Sequence, residues 1–230
     1  LLVQNNRFAG QSVNAINIAS AQATFTLRHN SVSHTPSVYN HAILLGNTSA
    51  GCTVEGNRVE NTNGTACALL SMNTALGGQN RVFNNMFKGA TYGLWTTGTC
   101  NGLRIDNNSV YASAGVAMLF FASGAQTIAS MRNNVFHGFS YALQRDAGVT
   151  LTLNSTSHNA LYSSTGDAAL WNGAALAGIP ALQAASGQFA NSFEGDPLYF
   201  DQATADLHAY AMELDAAGTP IAAVTDDFDG

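Results

Sequence analysis

The feature that most constrains this chain is a recurring triplet: Asn, any residue, then an apolar residue. It appears as Asn6-Arg7-Phe8, Asn30-Ser31-Val32, Asn57-Arg58-Val59, Asn85-Met86-Phe87, Asn108-Ser109-Val110, Asn134-Val135-Phe136 and Asn159-Ala160-Leu161, at intervals of 24, 27, 28, 23, 26 and 25 residues. The position three before each Asn is also apolar (Val3, Leu27, Val54, Val82, Ile105, Met131), with Thr156 the only departure. A second short apolar stretch follows each triplet, as in Tyr92-Gly93-Leu94-Trp95 and Tyr141-Ala142-Leu143-Gln144. A chain that repeats itself at this period is built from stacked units, none of which can bury its apolar face alone.

The period fits leucine-rich repeats, helical-pair arrays and β-solenoids. The Leu-x-x-Leu-x-Leu frame is missing, and no repeat holds an amphipathic window of helix length. What remains is short strands with apolar and polar residues alternating. Composition agrees: 23 Asn and 22 Gly are poor material for helices, and charged residues make up only 10% of the chain. The reading is an all-β fold, a right-handed parallel β-helix of about seven coils. Coils in such a stack repeat about every 4.8 Å, so equivalent residues lie over one another. A column of Asn can then bond amide to amide along the axis, and Asn tolerates the left-handed backbone of a sharp bend.

Phrases such as Val82-Phe83-Asn84-Asn85-Met86-Phe87 and Ile105-Asp106-Asn107-Asn108-Ser109-Val110 resemble the parallel β-helix repeat of the pectin-lyase-like superfamily, over residues 1 to about 173. Gly195-Asp196-Pro197-Leu198-Tyr199-Phe200 and Ala205-Asp206-Leu207-His208 resemble the closing segment of secreted bacterial β-helix proteins. The resemblance implies an extracellular or cell-surface protein. It implies no single activity, because the fold hosts lyases, hydrolases, epimerases, adhesins and tailspikes. The family's catalytic signatures are missing: Asn-Thr-Asp and Gly-His-Gly, Arg-x-Pro-x-x-Arg, and Asp-Pro-His-Asp do not occur. No catalytic residue is assigned.

Charge divides the chain near residue 173. Residues 1–173 carry all eight Lys and Arg with five acids, a net +3; residues 174–230 carry nine acids and no base. The first part is read as the coils. The second is read as an acidic C-terminal cap over the exposed edges and core of the last coil, opening on a short helix at Ile179-Pro180. An acidic chain without a basic cluster argues against nucleic acid, and no apolar run reaches membrane-span length. The chain opens on Leu1 and is read as part of a longer protein. Cys52, Cys67 and Cys100 match no zinc or redox spacing and are expected as free, buried residues. No cofactor is expected, with calcium at Asp226, Asp227 and Asp229 as the one candidate. Lys88 is expected in a turn, and His29 and His158, each preceding a ladder Asn, as bend residues.

Strand parity sorts the charges. Positions two and four before each Asn face outward, which gathers Arg28, Glu55, Arg81, Arg104, Asp106 and Arg132 on one face. Stacking sets Arg81 beside Arg104 and Asp106 beside Arg132. Arg81, Arg104, Asp106 and Arg132 are therefore the candidate substrate-binding residues, matched to an extended, acidic polysaccharide that meets several rungs at once. Two alternatives stand beside this. One is a polysaccharide lyase or glycoside hydrolase centred on Arg104, Asp106 and Arg132. The other is a structural spacer or adhesin segment of a large surface protein. Tyr92, Trp95, Tyr141 and Trp171 are expected to pack rather than to stack on sugars.

Overall fold

The computed structural model describes residues 1–10, 13–18, 24–35, 41–46, 51–62, 64, 66–72, 80–121, 124–222, 224–225 and 228. The calcium candidates Asp226, Asp227 and Asp229 lie outside the described residues.

Each coil contributes one strand to each of three sheets, and the strands of successive coils pair in parallel. The first sheet stacks Leu2–Gln4, Thr26–Arg28, Thr53–Glu55, Arg81–Phe83, Cys100–Asp106, Ala125–Arg132 and Thr150–Leu153. The second stacks Arg7–Ala9, Ser31–His34, Arg58–Asn61, Met86–Gly89, Ser109–Ala112, Val135–Gly138 and Ala160–Ser163. The third runs from Ile16–Ile18 to Ala169–Trp171. The result is a parallel β-solenoid of about six turns. That is slightly fewer than the seven coils counted from the triplets, because seven rungs enclose only six intervals.

Register explains the repeat. In the first sheet Val3, Leu27, Val54, Val82, Ile105, Met131 and Thr156 are successive partners. In the second, Phe8, Val32, Val59, Phe87, Val110, Phe136 and Leu161 form the matching column. Both columns point inward and join one continuous core. Lys88, expected in a turn, instead lies on the strand Met86–Gly89. Its inward neighbour Phe87 turns it outward, 2.6 Å from Glu60 on the previous rung.

Between these columns sits the asparagine ladder. Each Nδ2 donates to the Oδ1 of the next Asn at 2.9–3.1 Å, from Asn6 to Asn159. The backbone N–H of each rung donates to the same acceptor, as from Asn85 to Asn108 at 3.1 Å. The last rung ends the series differently: Asn159 N–H donates to the Ser192 hydroxyl at 3.1 Å. The residue before each ladder Asn takes the left-handed conformation. Asn5, His29, Gly56, Asn84, Asn107, Asn133 and His158 all have φ between 51 and 59°. The bend thus needs residues that accept positive φ, which Gly and Asn do at least cost.

The last coil is closed by the helix Ile179–Ser186, whose Ile179 and Leu182 are buried, and by Phe189, fully buried against Trp171. Phe193–Glu194 then adds a final strand to the second sheet. From there the chain turns back along the outside. The antiparallel hairpin of Tyr199–Asp201 and Asp206–Ala209 lies over the second sheet, with Tyr199 and Leu207 packed on Met86. The Tyr199 hydroxyl donates toward the carbonyls of Val110 and Val135 at 3.3 and 3.2 Å. Arg58 donates to the Thr204 carbonyl from Nε at 3.0 Å and from Nη2 at 2.5 Å, and Lys88 donates to the Ala203 carbonyl at 2.8 Å.

Candidate functional site

The outer face of the first sheet carries two rows of side chains. In one, Thr26, Thr53, Arg81, Arg104 and Ser130 are successive partners. In the other, Arg28, Glu55, Phe83, Asp106, Arg132 and Ser157 are. The sheet therefore sets Arg81 against Arg104 and Asp106 against Arg132 on neighbouring rungs.

The rows are not uniformly open. Parity turns Asp106 outward, yet it is only 4% exposed. Its Oδ1 accepts the Ser130 hydroxyl at 2.5 Å and the Arg132 backbone N–H at 3.0 Å. Arg132 Nε stands 3.8 Å from that oxygen and donates to Ser130 Oγ at 2.9 Å. Asp106, Ser130 and Arg132 thus form a closed unit in which the carboxylate fixes the guanidinium. Arg28 and Glu55, at the other end, approach to 3.9 Å.

Arg81 and Arg104 differ. Among the described residues neither guanidinium has a hydrogen bond or an ion pair, and Arg104 Nε is buried without a partner. Ile221 and Val224 line a cavity of about 40 Å³ together with Arg81, Arg104 and Asp106. The segment that carries them is fastened beside the sheet. Thr219 N–H donates to Asn133 Oδ1 at 3.0 Å, and Asn133 Nδ2 donates to the Thr219 carbonyl at 2.7 Å.

Asn133 belongs to a second polar column that runs along the bend. Asn133 Nδ2 also donates to Asn107 Oδ1 at 3.0 Å. Asn84, Asn107, Asn133 and His158 line an open cavity of about 310 Å³ together with Leu214 and Phe228. That volume is at the small end of ligand pockets, and its lining offers both amide groups and apolar surface. Sequence reasoning missed this column. The signal was the doubled Asn5-Asn6, Asn84-Asn85, Asn107-Asn108 and Asn133-Asn134, where only the second member serves the ladder.

Two clusters lie elsewhere. His34, His41 and Cys67 meet near the third sheet. Burial first, and then the neighbouring His34, lower the His41 pKa to about 4, while burial pushes the Cys67 thiol up. A protonated, fully buried thiol is not a nucleophile. His137 is packed among Tyr111, Tyr162 and Tyr199 and bonds Ser164 Oγ at 3.1 Å. Among the described residues no group of three or more His, Cys, Asp or Glu could hold a metal ion. No helix of the described residues is long and apolar enough to cross a membrane. The aromatic residues divide: Trp171 is buried in the core, whereas Tyr92, Trp95 and the exposed Phe121 make edge and tilted contacts with each other. No family model, no curated protein and no solved structure matches the chain.

Proposed function

We propose that this chain is a secreted or surface-displayed β-solenoid that contacts extended polysaccharide bearing acidic groups, along the first sheet and the bend beside it. The observation that carries the reading is the pair Arg81 and Arg104, in register on neighbouring rungs and without protein partners among the described residues. Like charges stacked across adjacent strands are unfavourable unless something answers them. A carboxylate or sulfate on the ligand supplies that answer in the bidentate geometry guanidinium groups favour. The adjoining amide-lined cavity offers donors and acceptors to sugar hydroxyls. The asparagine ladder supports a likeness to the pectin-lyase-like superfamily as part of this proposal.

The test is retention on polygalacturonate gels beside neutral-glycan gels. Retention on the acidic gel, weakening as salt rises, is the expected result, because exposed charges are screened over about 8–10 Å at ordinary ionic strength. Absence of retention together with an empty glycan array overturns the reading. Assaying the same mixtures for unsaturated or reducing ends separates contact from cleavage by a lyase or hydrolase.

A second reading is a structural spacer. It is favoured by the aliphatic side chains of Ile221 and Val224, which share a small cavity with the arginines. A spacer neither binds nor cleaves in these assays.

A further inference from the structure

The hairpin of Tyr199–Asp201 and Asp206–Ala209 has two unlike faces. Alternation along its strands turns Tyr199 and Leu207 inward, where they are buried against Met86 of the second sheet. Leu198, Phe200 and Tyr210 take the other face, and Met212 follows them; all four are 58–87% exposed. They are neighbours across the ribbon. The Tyr210 N–H donates to the carbonyls of Pro197 and Leu198 at 3.0 and 3.3 Å, and the rings of Phe200 and Tyr210 stand 5.8 Å apart. The inner face already holds the hairpin in place, so these side chains are not spent on folding. A lone exposed apolar side chain is ordinary, but several on one ribbon mark an interaction surface. Tyr210 and Met212 also line an open groove of about 540 Å³ together with Leu214 and Asp215.

We propose that this groove docks a basic, amphipathic segment of a partner protein, with a Lys or Arg side chain laid along Tyr210, Met212 and Leu214 and its charged end on Asp215. Charge decides the occupant. Residues 174–230 carry nine acids and no base, and Asp196, Glu213 and Asp215 stand exposed in the same stretch of chain as the apolar side chains. A second copy of the chain would set acid against acid, and an acidic glycan meets the same repulsion. A cationic partner meets the opposite sign. Lys and Arg suit both halves of the groove, because their methylene stems cover apolar surface while the head group reaches a carboxylate. A cation over the face of Tyr210 adds to the attraction. The groove has the volume of an ordinary ligand pocket, enough for such a side chain and its neighbours. This surface is separate from the arginine row of the first sheet, and the inference does not depend on the polysaccharide reading.

The experiment titrates the full chain with three short synthetic peptides, alternating Leu with Lys, Ser with Lys, and Leu with Glu. The Leu–Lys peptide is expected to bind about tenfold more tightly than either of the others, since it alone offers both apolar contact and positive charge. Tyr210→Ser with Met212→Ser removes the apolar lining and should weaken that binding about tenfold. Asp215→Asn with Glu213→Gln should weaken it about threefold and flatten its salt dependence. All four side chains are exposed, so the urea-unfolding midpoints of both double variants should match the parent's, which keeps lost binding apart from lost folding. Failure of the Leu–Lys peptide to bind the parent, or equal binding by the parent and both variants, overturns the proposal. Self-association of the parent that the Ser variant abolishes makes a second copy the occupant and overturns it too. So does retention on neutral-glycan gels that the Ser variant abolishes, with no peptide bound. Oligogalacturonate should bind the variants as it binds the parent, so the polysaccharide reading stands or falls on its own test.

Discussion

The Nδ1 atom of His41 accepts the backbone N–H of Cys67 at 3.1 Å and lies 3.0 Å from the sulfur of the same residue. The backbone group can only donate, so this ring nitrogen carries no proton and the imidazole is neutral. Protonating it would turn an acceptor against a buried donor, which acts in the same direction as burial itself.

A pH dependence follows with a definite sign. The His41 pKa is about 4 in the folded chain, against 6.5 for the free side chain. Between those values the unfolded chain binds more protons, so stability rises with pH. The contribution is complete above about pH 6.5 and is lost as pH falls through about 4, a change on the order of 3 kcal/mol. His41→Gln should show a flatter fall in urea-unfolding free energy over this window than the parent. Equal slopes in the two proteins would mean that His41 does not titrate with folding.

The ladder is open to a direct test at Asn108. This residue is buried, its Nδ2 donates to Val82 O, Asp106 O and Asn134 Oδ1, and its Oδ1 accepts two bonds from Asn85. Asn108→Ala leaves several of those groups unpaired at about 1–3 kcal/mol each. A loss of about 3 kcal/mol or more is expected in equilibrium unfolding. A melting temperature equal to the parent's would contradict the buried ladder.

Asn133 separates backbone need from side-chain need. Its φ of 56° calls for Asn or Gly, and its carboxamide holds Thr219. Asn133→Gly keeps the bend but releases Thr219, so local amide exchange should rise while global stability changes little. Asn133→Ala adds the left-handed penalty, about 1–2 kcal/mol. Its melting temperature should fall below that of the Gly variant; the reverse order would refute the argument.

Gly138 stands where the second sheet turns toward the third. A Cβ there would come within 1.8 Å of the Tyr141 carbonyl oxygen and 3.0 Å of the Gly115 oxygen. Both obstacles are backbone and cannot rotate away. Gly138→Ala should destabilise by at least the roughly 1–3 kcal/mol typical of overpacking, read from urea unfolding. A change below about 0.5 kcal/mol, the usual surface range, would show that the turn yields easily.

The solenoid was legible because axial stacking puts the same demand on every rung. Val82 and Ile105 recur because each must fill the same slot in the core, and Asn85 and Asn108 because each must continue the same row of amides. His29 and His158 were legible as bend residues for the same reason, and both have positive φ. The site was less legible. Parity correctly stacks Arg81 on Arg104 but treats Asp106 as exposed, because alternation within a strand says nothing of what later folds across it. Ile221 and Val224 lie beyond the repeat, so no register constrained their place. The hairpin is likewise held by Arg58, Lys88 and Met86, contacts that join residues more than a hundred positions apart.

Those distant contacts alter how such a stack comes apart. A bare solenoid behaves as a line of nearest neighbours, free to fray from either end. Here one continuous run of chain grips the rung of Arg58 through Thr204 and the rung of Asn133 through Thr219. Rungs inside that span are clamped at both ends and melt as one block. The rungs of Leu2 and Thr26 lie outside it and can open alone, as a low-energy foldon at the amino-terminal end.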